Sequence, residues 1–451
     1  MISWVKRLRK SEKGSALVIV GAALPLLVGA AGIATDTIQW ALWKRQLQRA
    51  ADSGAIAGVY TRIKNDDQAA VEGAVGDDID VNHHTGINLL GTPEIELLDD
   101  DGDMEDQVRV ALEIQKALPF SSIFMASAPV IRAESIAASV PGPDEVCVLA
   151  TDPSVAAVGL EIAGSSFLDL GECSLMANSK HPTKAASNGA SSANGGQGSS
   201  IKAKSILAAG GVQYSSSWDV DDYDPNSPPI TDPYGPDGDR TLPNPATGDC
   251  TKNVNTDMSK NQAYPMDRTT GPQADVAGQV VCFNQGGGVK VQGALKLQSG
   301  VTYIINGGDL TMTSTSASLS CTGCTIILSK LSNPASTGNI NLTGGTLSIT
   351  APTAAGTYKG IALYQDRRAT DNGSAGQNKI NGNSGASITG VIYIANRSLL
   401  YNGGSDTVAP CLQIVGKRIS FTGSSAMTIG SSCAGSGYGS IGGARRVRLV
   451  A

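Results

Sequence analysis

Eight cysteines are the residues of this sequence whose side chains could do the most chemistry, and none of them lies before residue 147. An even number of cysteines confined to one part of a chain is typical of disulfides formed in an oxidising compartment. Pairing of successive cysteines is the simplest of roughly a hundred possible connectivities. The eight disulfide candidates are Cys147, Cys173, Cys250, Cys282, Cys321, Cys324, Cys411 and Cys433.

Two of these residues, Cys321 and Cys324, have the C-x-x-C spacing of redox-active dithiols and of half a zinc site. A redox role would need a strand-to-helix context, and a zinc site would need a second C-x-x-C or a nearby His. The surrounding sequence offers none of these. We therefore predict a structural role for this pair, and no metal or cofactor.

Three other polar groups could bind a cation, but each fits a simpler role. Adjacent His83 and His84 point apart on either a strand or a helix, and no second pair supports them. The run DDDGDMED, residues 99–106, lacks the acidic register of a calcium loop and is typical of a hairpin turn. The Asp-rich residues 219–224 fit a solvated loop.

Catalysis on polysaccharides would require clustered carboxylates, and the C-terminal part of the chain has few. The one concentrated charge there is Asp366-Arg367-Arg368, which is typical of a salt-bridged turn. We predict that the protein is not an enzyme, with an exported carbohydrate-binding protein or a polysaccharide-active enzyme as the alternative. The carboxylates between residues 286 and 432 are Asp309, Asp366, Asp371 and Asp406.

The compartment of these side chains depends on an apolar segment near the N-terminus, residues 15–35, which has no ionisable side chain. At about 1.5 Å per residue it spans roughly 30 Å, one bilayer core. Basic residues dominate residues 1–14, and Trp40 and Trp43 follow the segment. Because a basic flank stays in the cytoplasm, we predict a single-pass transmembrane helix with a cytoplasmic N-terminus and an exported remainder.

Two kinds of cleavage are the alternatives to a retained anchor. A secretory signal peptide usually has an apolar core of about 7 to 15 residues, shorter than this one, although the small residues of AGIATD leave such a cut open. A prepilin-type cut after Gly14 is disfavoured because Ile19 stands where those substrates carry Glu.

The net charge of the chain is −6, and because residues 1–14 are basic, the exported part is more acidic still. An acidic exported part argues against binding to nucleic acid and against docking on anionic lipid.

Small residues recur along the apolar segment and predict a helix-packing face. Gly21, Pro25 and Gly29 are spaced by four residues, with Gly32 nearby, and such a face lets another helix approach closely. The alternative is that these residues are merely compatible with a bilayer. The helix is predicted to continue to Tyr60, with a small-residue stripe at Leu42, Gln46 or Leu47, Ala50, Ser53 or Gly54, and Ala57.

The remainder of the chain predicts an α+β, membrane-anchored protein with a mainly-β exported domain. From residue 286 apolar residues alternate in short i, i+2 pairs such as Val289 and Val291, separated by Gly-rich turns. Three such strands per coil predict a right-handed parallel β-helix, whereas a sandwich of antiparallel hairpins would need longer strands. The predicted regions are a cytoplasmic basic flank (1–14), an anchor helix with its periplasmic extension (15–60), a small α/β module (61–141), first β-rungs with a low-complexity loop (142–214), a Pro- and Asp-rich insertion tied down at Cys250 (215–285), and β-helix repeats with a C-terminal strand (286–451).

Gly14, Leu24, Pro25, Gly32, Asp36 and the run from Leu47 to Asp52 form a combined pattern in the N-terminal part. This pattern resembles TadG-like proteins of the TadE/TadG group, which are associated with assembly of Flp (Tad) pili. The resemblance implies a retained anchor in the bacterial inner membrane and a periplasmic ectodomain. It also implies that the anchor helix contacts other Tad pilus-assembly proteins, and that the role is an accessory one in pilus assembly or anchoring and in surface attachment.

A second, weaker resemblance is to the ectodomain commonly fused to such anchors. The segments that carry it include GECSLMANS, KLQSGVTYIINGGDLTM and TGVIYIANRSLLYNGG. It implies disulfides Cys147–Cys173 and Cys250–Cys282, with Cys411–Cys433 closing a terminal segment. No catalytic residues are implied by it.

Overall fold

The computed structural model forms two compact units, each with its own core. The first, called here the N-terminal module, comprises the described part of residues 1–140 together with Val447–Ala451, and the second, called the β-domain, comprises Pro141–Arg446. The structure describes residues 12–81, 88–142, 145–164, 167–188, 200–213, 218–255, 266–284, 286–371, 373, 377–381, 387–402, 407–409, 411–422, 426–429, 441 and 445–451.

The N-terminal module consists of two helices and a sheet with the strand order β1-β2-β3-β28. Strand β2 pairs antiparallel with both β1 and β3, and the acidic residues 99–106 predicted as a hairpin turn connect β1 to β2 and enter its first residues. The elements are α1 (Glu12–Lys64), α2 (Gln68–Val81), β1 (Glu94–Leu97), β2 (Glu105–Gln115), a 3₁₀ turn (Ser121–Ile123), β3 (Val130–Pro141) and β28 (Arg445–Leu449).

The C-terminal half of α1 packs its small residues against α2 and the sheet. Its fully buried apolar side chains are Leu47, Ala51, Ala55 and Val59. Of the predicted stripe, Leu47 and Gly54 are buried, Ala50 and Ala57 are half-buried, and Leu42 is exposed. The same apolar core also contains side chains of α2 and the sheet: Val71, Val75, Ile79, Val108, Val110, Leu112, Ile114, Ile131, Ala133 and Ala137.

The β-domain is built from short strands that contain the alternating apolar pairs, with two further 3₁₀ turns (Thr247–Asp249, Pro334–Ser336). The strands are β4 (Val146–Ala150), β5 (Leu160–Ile162), β6 (Phe167–Asp169), β7 (Ser174–Ala177), β8 (Ala186–Asn188), β9 (Ser200–Ala208), β10 (Trp218–Pro225), β11 (Lys252–Val254), β12 (Met266–Asp267), β13 (Val280–Phe283), β14 (Gly288–Lys290), β15 (Ala294–Leu297), β16 (Thr302–Asn306), β17 (Asp309–Met312), β18 (Ser318–Thr322), β19 (Thr325–Ser329), β20 (Ile340–Leu342), β21 (Thr346–Thr350), β22 (Ile361–Gln365), β23 (Asn378–Asn381), β24 (Ser387–Asn402), β25 (Thr407–Ala409), β26 (Leu412–Thr422) and β27 (Ala426–Ile429).

The described strand pairs in the β-domain are parallel. Most strands pair with the strand that comes three places later in the sequence. Strand β16 pairs with β19 and β19 with β22, so that Ile304, Ile327 and Tyr364 lie side by side. This pattern is a large parallel sheet with three strands per repeat, and it differs from a sandwich of antiparallel hairpins.

The repeats are stacked out of sequence order. Strand β26, near the end of the chain, pairs with β4, so Ile414 lies beside Val148. The repeats β4–β6 and β7–β9 follow in that direction and end at β10, which pairs with β9. Strand β11 begins the other end of the stack by pairing with β13. The chain between β10 and β11 must therefore run the length of the stack.

Residues 226–251, called here the strap, make this connection along the outer side of the stack. Asn178 exchanges two hydrogen bonds with the main chain of Ile230, of 2.7 and 2.9 Å. Further along, the Tyr234 and Tyr393 rings lie 5.4 Å apart, and at the far end Thr251 N–H donates to Val280 O at 2.9 Å. Residues 215–285 were predicted to form one insertion. Within this range β10, β12 and β13 pair with strands of the stack, so the strap is shorter than the predicted insertion.

Candidate functional site

The N-terminal half of α1 is an exposed apolar helix. Among the described residues it is the one helix that is long and apolar enough to cross a membrane. Only 6% of its most apolar 18-residue stretch is buried within the protein. Leu26 and Leu27 are 76% and 69% exposed. Water would not stabilise such a surface over several turns, so its length, composition and exposure suit contact with hydrocarbon.

The four residues predicted to form a helix-packing face have different surroundings. An added Cβ at Gly21 or at Gly29 would meet no atom within 4 Å. Pro25 lies inside α1, which continues past it. Gly32 is different, because a Cβ atom there would overlap the ring of Phe120. Within the described residues the structure therefore leaves Gly21 and Gly29 open and places the Phe120 ring directly against Gly32.

Asp36, one turn beyond Gly32, fastens the chain that carries Phe120. Its Oδ1 accepts the Phe120 N–H at 2.9 Å, and its Oδ2 accepts both the N–H and the hydroxyl of Ser121. The side chain is nearly inaccessible, at 4% exposure. A buried carboxylate needs such donors to replace its hydration, and here they come from the 3₁₀ turn after β2.

Aromatic and basic groups follow on the next turns of α1. Trp40 is 42% exposed, and Lys116 lies over the ring of Trp43 with its Nζ 5.5 Å from the ring centroid. An amphipathic aromatic belt with a nearby lysine is typical of the depth at which a membrane helix leaves the hydrocarbon.

Polar side chains of α1 fasten its C-terminal half to the sheet. Gln48 Nε2 donates to the main-chain oxygen of Glu134 at 2.8 Å. Arg62 Nη1 donates to the main-chain oxygens of Leu98 and Gln107, each at 2.7 Å. Because these acceptors lie on three parts of the module, they hold the helix to a fixed position on its own sheet.

The solvent face of the sheet carries a network of ion pairs. Arg109 contacts Glu134 at 2.7 Å and Glu96 at 3.0 Å, and Arg132 contacts Glu113 at 3.1 Å. Hydrogen bonds from Arg109 lower the pKa of the Glu134 carboxyl below its ordinary value, and the same bonds raise the pKa of Arg109. These pairs are exposed, so their contribution to stability is small.

Three of the four carboxylates that could have formed an enzyme site lie within the described residues, and each of the three bonds to a neighbour. Asp366 accepts from Ser329 Oγ at 2.7 Å and pairs with Arg368 at 2.7 Å, the predicted salt-bridged turn. Asp371 pairs with Lys417 at 2.8 Å, and Asp309 accepts the Asn339 N–H at 2.7 Å. Asp406, His83 and His84 lie outside the described residues.

No group of three or more His, Cys, Asp or Glu side chains within the described ranges is arranged to hold a metal ion. Residues 219–224, predicted as a solvated loop, form most of strand β10 instead. The reason is that this polar stretch pairs along β9, where Trp218 lies beside Ile201.

A buried ion pair lies where the strap returns to the stack. Asp275 Oδ1 is 2.6 Å from Arg268 Nη2 and 2.7 Å from Lys252 Nζ, and Tyr303 Oη donates to Oδ2 at 3.0 Å. Burial acts to raise the pKa of Asp275, but the hydrogen bonds from Arg268 and Lys252 outweigh it, and the pKa is below the ordinary value. This carboxylate is charged and structural.

A second polar cluster holds the middle of the strap. Tyr393 Oη donates to Asp232 Oδ2 at 2.7 Å, and the guanidinium of Arg367 lies 5.8 Å from the centre of the Tyr393 ring. Burial raises the pKa of the Asp232 carboxyl. Arg367 also donates to the main-chain oxygen of Leu242 in the strap. The cluster therefore joins the strap to the sheet through Arg367, which follows β22, and Tyr393 of β24.

Three disulfides have both cysteines within the described residues, and each joins cysteines that are successive in the sequence. The pairs are Cys147–Cys173, Cys250–Cys282 and Cys321–Cys324, each with Cα atoms 5.6 Å apart. Cys411 is also disulfide-bonded, and Cys433, its expected partner, lies outside the described residues. The bond between Cys250 and Cys282 fastens the end of the strap to β13.

Comparison with known families adds one match, and it falls on α1. Residues 14–62 match the family model described as putative Flp pilus-assembly TadE/G-like. The matched residues include the exposed apolar segment, Asp36 and the buried face from Leu47 to Val59. The resemblance to the TadE/TadG group is thereby confirmed for this segment. Neither a curated protein nor a solved structure matches the chain.

The contact between Phe120 and the Tad-matching helix was missed by sequence reasoning. A signal was present, since no ionisable residue occurs between Lys116 and Arg132 and two of the five phenylalanines of the chain, Phe120 and Phe124, lie there. Asp36 and Phe120 are 84 residues apart in the sequence, and local sequence patterns do not reveal contacts over such a distance.

Proposed function

We propose that this chain is a TadG-like accessory protein that supports assembly or anchoring of Flp (Tad) pili, and thereby surface attachment. The observation that carries the proposal is the coincidence of the family match with α1. Residues 14–62 match the pilus-assembly family, and the N-terminal half of the same helix exposes its apolar side chains as a membrane anchor would.

In this proposal residues 15–35 span the bacterial inner membrane once. The basic flank lies in the cytoplasm and the other described parts lie in the periplasm. The orientation is supported by the basic residues before the apolar segment. It is also supported by the disulfides of the β-domain, because an oxidising compartment is where such bonds persist.

The β-domain is proposed to be a right-handed parallel β-helix with a structural, non-catalytic role. Its i to i+3 parallel pairing supports the β-helix, and right-handed crossovers are the general rule for parallel strands. The ion pairs of Asp366 and Asp371 support a structural role, since each carboxylate already has a basic partner.

The proposed contact with other Tad proteins is through the open face of α1 at Gly21, Pro25 and Gly29. An added Cβ at either glycine would meet no atom of this chain, so a second helix could approach closely there. Small residues at this spacing support helix pairing within a bilayer, where close packing rather than the hydrophobic effect drives association.

Deletion of the gene in a bacterium that carries it tests the pilus role. We expect Flp pili and surface attachment to be lost, and both to return when the full chain is supplied. A deletion strain with normal pili and attachment would overturn the proposal.

Filling the open face tests whether it is the contact. We expect Gly21→Leu with Gly29→Leu to reduce piliation at unchanged protein level. The matched control is Ala23→Leu with Ala34→Leu, because these alanines lie about half a turn away on the opposite side of the helix. Equal piliation by both double variants would show that the glycine face makes no required contact.

A further inference from the structure

We infer that the chain touches the membrane at a second place. The apolar loop, defined here as residues 117–129, enters the periplasmic side of the lipid bilayer beside α1. This inference rests on the proposed function, in that α1 must span the membrane. It goes beyond it because the loop lies outside the residues that match the Tad family.

The first argument is the chemistry of the exposed side chains. Ile123, Phe124 and Met125 are consecutive and are 71%, 75% and 47% exposed. No residue of the loop is ionisable. A cluster of large apolar side chains on a surface marks a contact site, and the absence of any charge suits hydrocarbon.

The second argument is the position of the loop along α1. The Phe120 ring lies against Gly32, inside the apolar segment, and Asp36 holds the main chain of Phe120 and Ser121. With a rise of about 1.5 Å per residue, Gly32 lies roughly 6 Å deeper than Asp36. The loop is therefore fixed beside the last turn of the segment that would be in the bilayer.

The third argument is that the backbone amides of residues 120–125, which include the tip of the loop, each have an acceptor. Within the 3₁₀ turn, Ile123 N–H donates to Phe120 O at 3.1 Å and Phe124 N–H to Ser121 O at 2.9 Å. Ser122 N–H donates to Leu118 O at 3.0 Å, and Asp36 accepts the amides of Phe120 and Ser121. A backbone that satisfies its own donors can enter a dry environment, whereas an ordinary loop cannot.

The fourth argument is the depth marked by neighbouring residues. Lys116 precedes the loop and lies over the ring of Trp43, and Trp40 is partly exposed one turn closer to Asp36. Tryptophan and lysine favour the headgroup region. With these residues at the interface, the tip at Phe124 would lie in the outer part of the acyl chains.

The bilayer fits the loop better than a partner protein does. The tip carries no hydrogen-bonding or charged side chain that could select a protein surface, and it is continuous with the lipid-facing part of α1. A protein partner that covers the loop is kept as an outcome of the test.

Labelling of the full chain in lipid vesicles tests the inference. Cysteines introduced singly by Phe124→Cys, Leu26→Cys and Asn65→Cys are labelled with an environment-sensitive fluorophore under non-reducing conditions, which leave the native disulfides closed. Phe124 and Leu26 are exposed side chains, so labels there should not disturb the fold. Asn65 follows the end of α1, about 40 Å from Asp36. The vesicles are phosphatidylethanolamine and phosphatidylglycerol, with or without lipids that carry a nitroxide quencher near the headgroup.

We expect the Phe124 label to show blue-shifted emission and strong quenching by the nitroxide lipid, and the Asn65 label to show neither. The Leu26 label reports separately on the anchor, because it must be in lipid if α1 spans the membrane. A Phe124 label in water while the Leu26 label is in lipid would overturn the inference and leave the proposed function standing. A blue-shifted Phe124 label that the lipid quencher cannot reach would mean that protein covers the loop, and it would also overturn the inference.

Discussion

The ring of Phe120 lies directly against the Cα atom of Gly32, so that a side chain on this glycine would occupy the space of the ring. One turn further along the helix, Asp36 accepts hydrogen bonds from the Phe120 and Ser121 amides. The two contacts together fasten the apolar loop to the end of the segment proposed to cross the membrane. Gly32 therefore has a neighbour within its own chain, whereas Gly21 and Gly29 do not.

Replacing Gly32 should release the loop. In Gly32→Leu the new side chain displaces the Phe120 ring and weakens the hydrogen bonds to Asp36. Since hydrogen bonds to a charged group contribute about 1.5–3 kcal/mol, amide exchange of residues 120–121 should rise by roughly tenfold or more. Hydrogen exchange of the full chain in detergent, read by mass spectrometry, measures this. Gly29→Leu is the control, and equal exchange in both variants would refute the contact.

A bulky side chain at Gly58 should destabilise the N-terminal module. A Cβ atom there would lie 2.8 Å from Cγ1 of Val108, and Val108 is a stiff β-branched residue that cannot easily turn away. Overpacking of this kind costs about 1–3 kcal/mol, so Gly58→Leu should lower the urea midpoint followed by the fluorescence of Trp40 and Trp43.

Gly73 provides the matched control for Gly58, since it lies in α2 with no atom within 4 Å of an added Cβ. Gly73→Ala should stabilise the module by up to about 1 kcal/mol because alanine favours the helix. A Gly58→Leu variant as stable as the native chain would show that α1 and β2 are not closely packed at this point.

Loss of the Asp275 carboxylate should destabilise the β-domain. Asp275→Asn leaves the buried Arg268 without its partner, and breaking such a pair costs about 3–5 kcal/mol. The pKa of Asp275 is below its ordinary value. The stabilisation is therefore complete above the ordinary value of 3.8 and is lost as the pH falls through the lower pKa of the folded state.

Urea unfolding followed by Trp218, the one tryptophan between residues 141 and 446, measures this effect at neutral and at acid pH. The variant should lose stability at neutral pH and should show a flatter decline in acid. Asp267→Asn is the control, since Asp267 is half-buried and accepts its hydrogen bond from the exposed Thr269. A pH profile identical to that of the native chain would contradict the assignment of this ion pair.

Removal of the Cys250–Cys282 disulfide should cost more than removal of Cys321–Cys324. The two bonds span 32 and 3 residues, and loop-closure entropy predicts about 4 and 2 kcal/mol respectively. Paired Cys→Ala variants compared by urea unfolding test the order. Because Cys250 ends the strap, proteolysis of residues 226–251 should also increase in that variant alone. Equal losses, with equal proteolysis, would mean that this bond does not hold the strap.

The parts of the fold that depend on local pattern could be predicted from the sequence. The charge-free run of residues 15–35 predicted the long helix, and the alternation of residues such as Leu310 and Met312 predicted short strands. The resemblance to the TadE/TadG group rested on local motifs and is confirmed over residues 14–62. Each of these predictions depends on a short continuous segment of the sequence.

The rest depends on contacts between distant residues, which one sequence does not reveal. Each repeat has the same alternating apolar pattern, so the sequence does not indicate which repeats are neighbours. The pairing of Val148 with Ile414 could therefore not be predicted. The strap has no periodic apolar pattern because single side chains pack onto the surface of the stack, as Tyr234 does on Tyr393. The contact of the apolar loop could not be predicted for the same reason, since Gly32 and Phe120 are far apart in the sequence.

The central claim, that α1 anchors this chain in the membrane, is tested most directly by alkaline carbonate extraction of membranes that contain the full chain. We expect the native chain to remain in the membrane pellet. A variant in which Leu26, Leu27 and Val28 are all replaced by Lys should be released, because charges at the centre of the span are costly in hydrocarbon. Release of the native chain into the soluble fraction would contradict the claim.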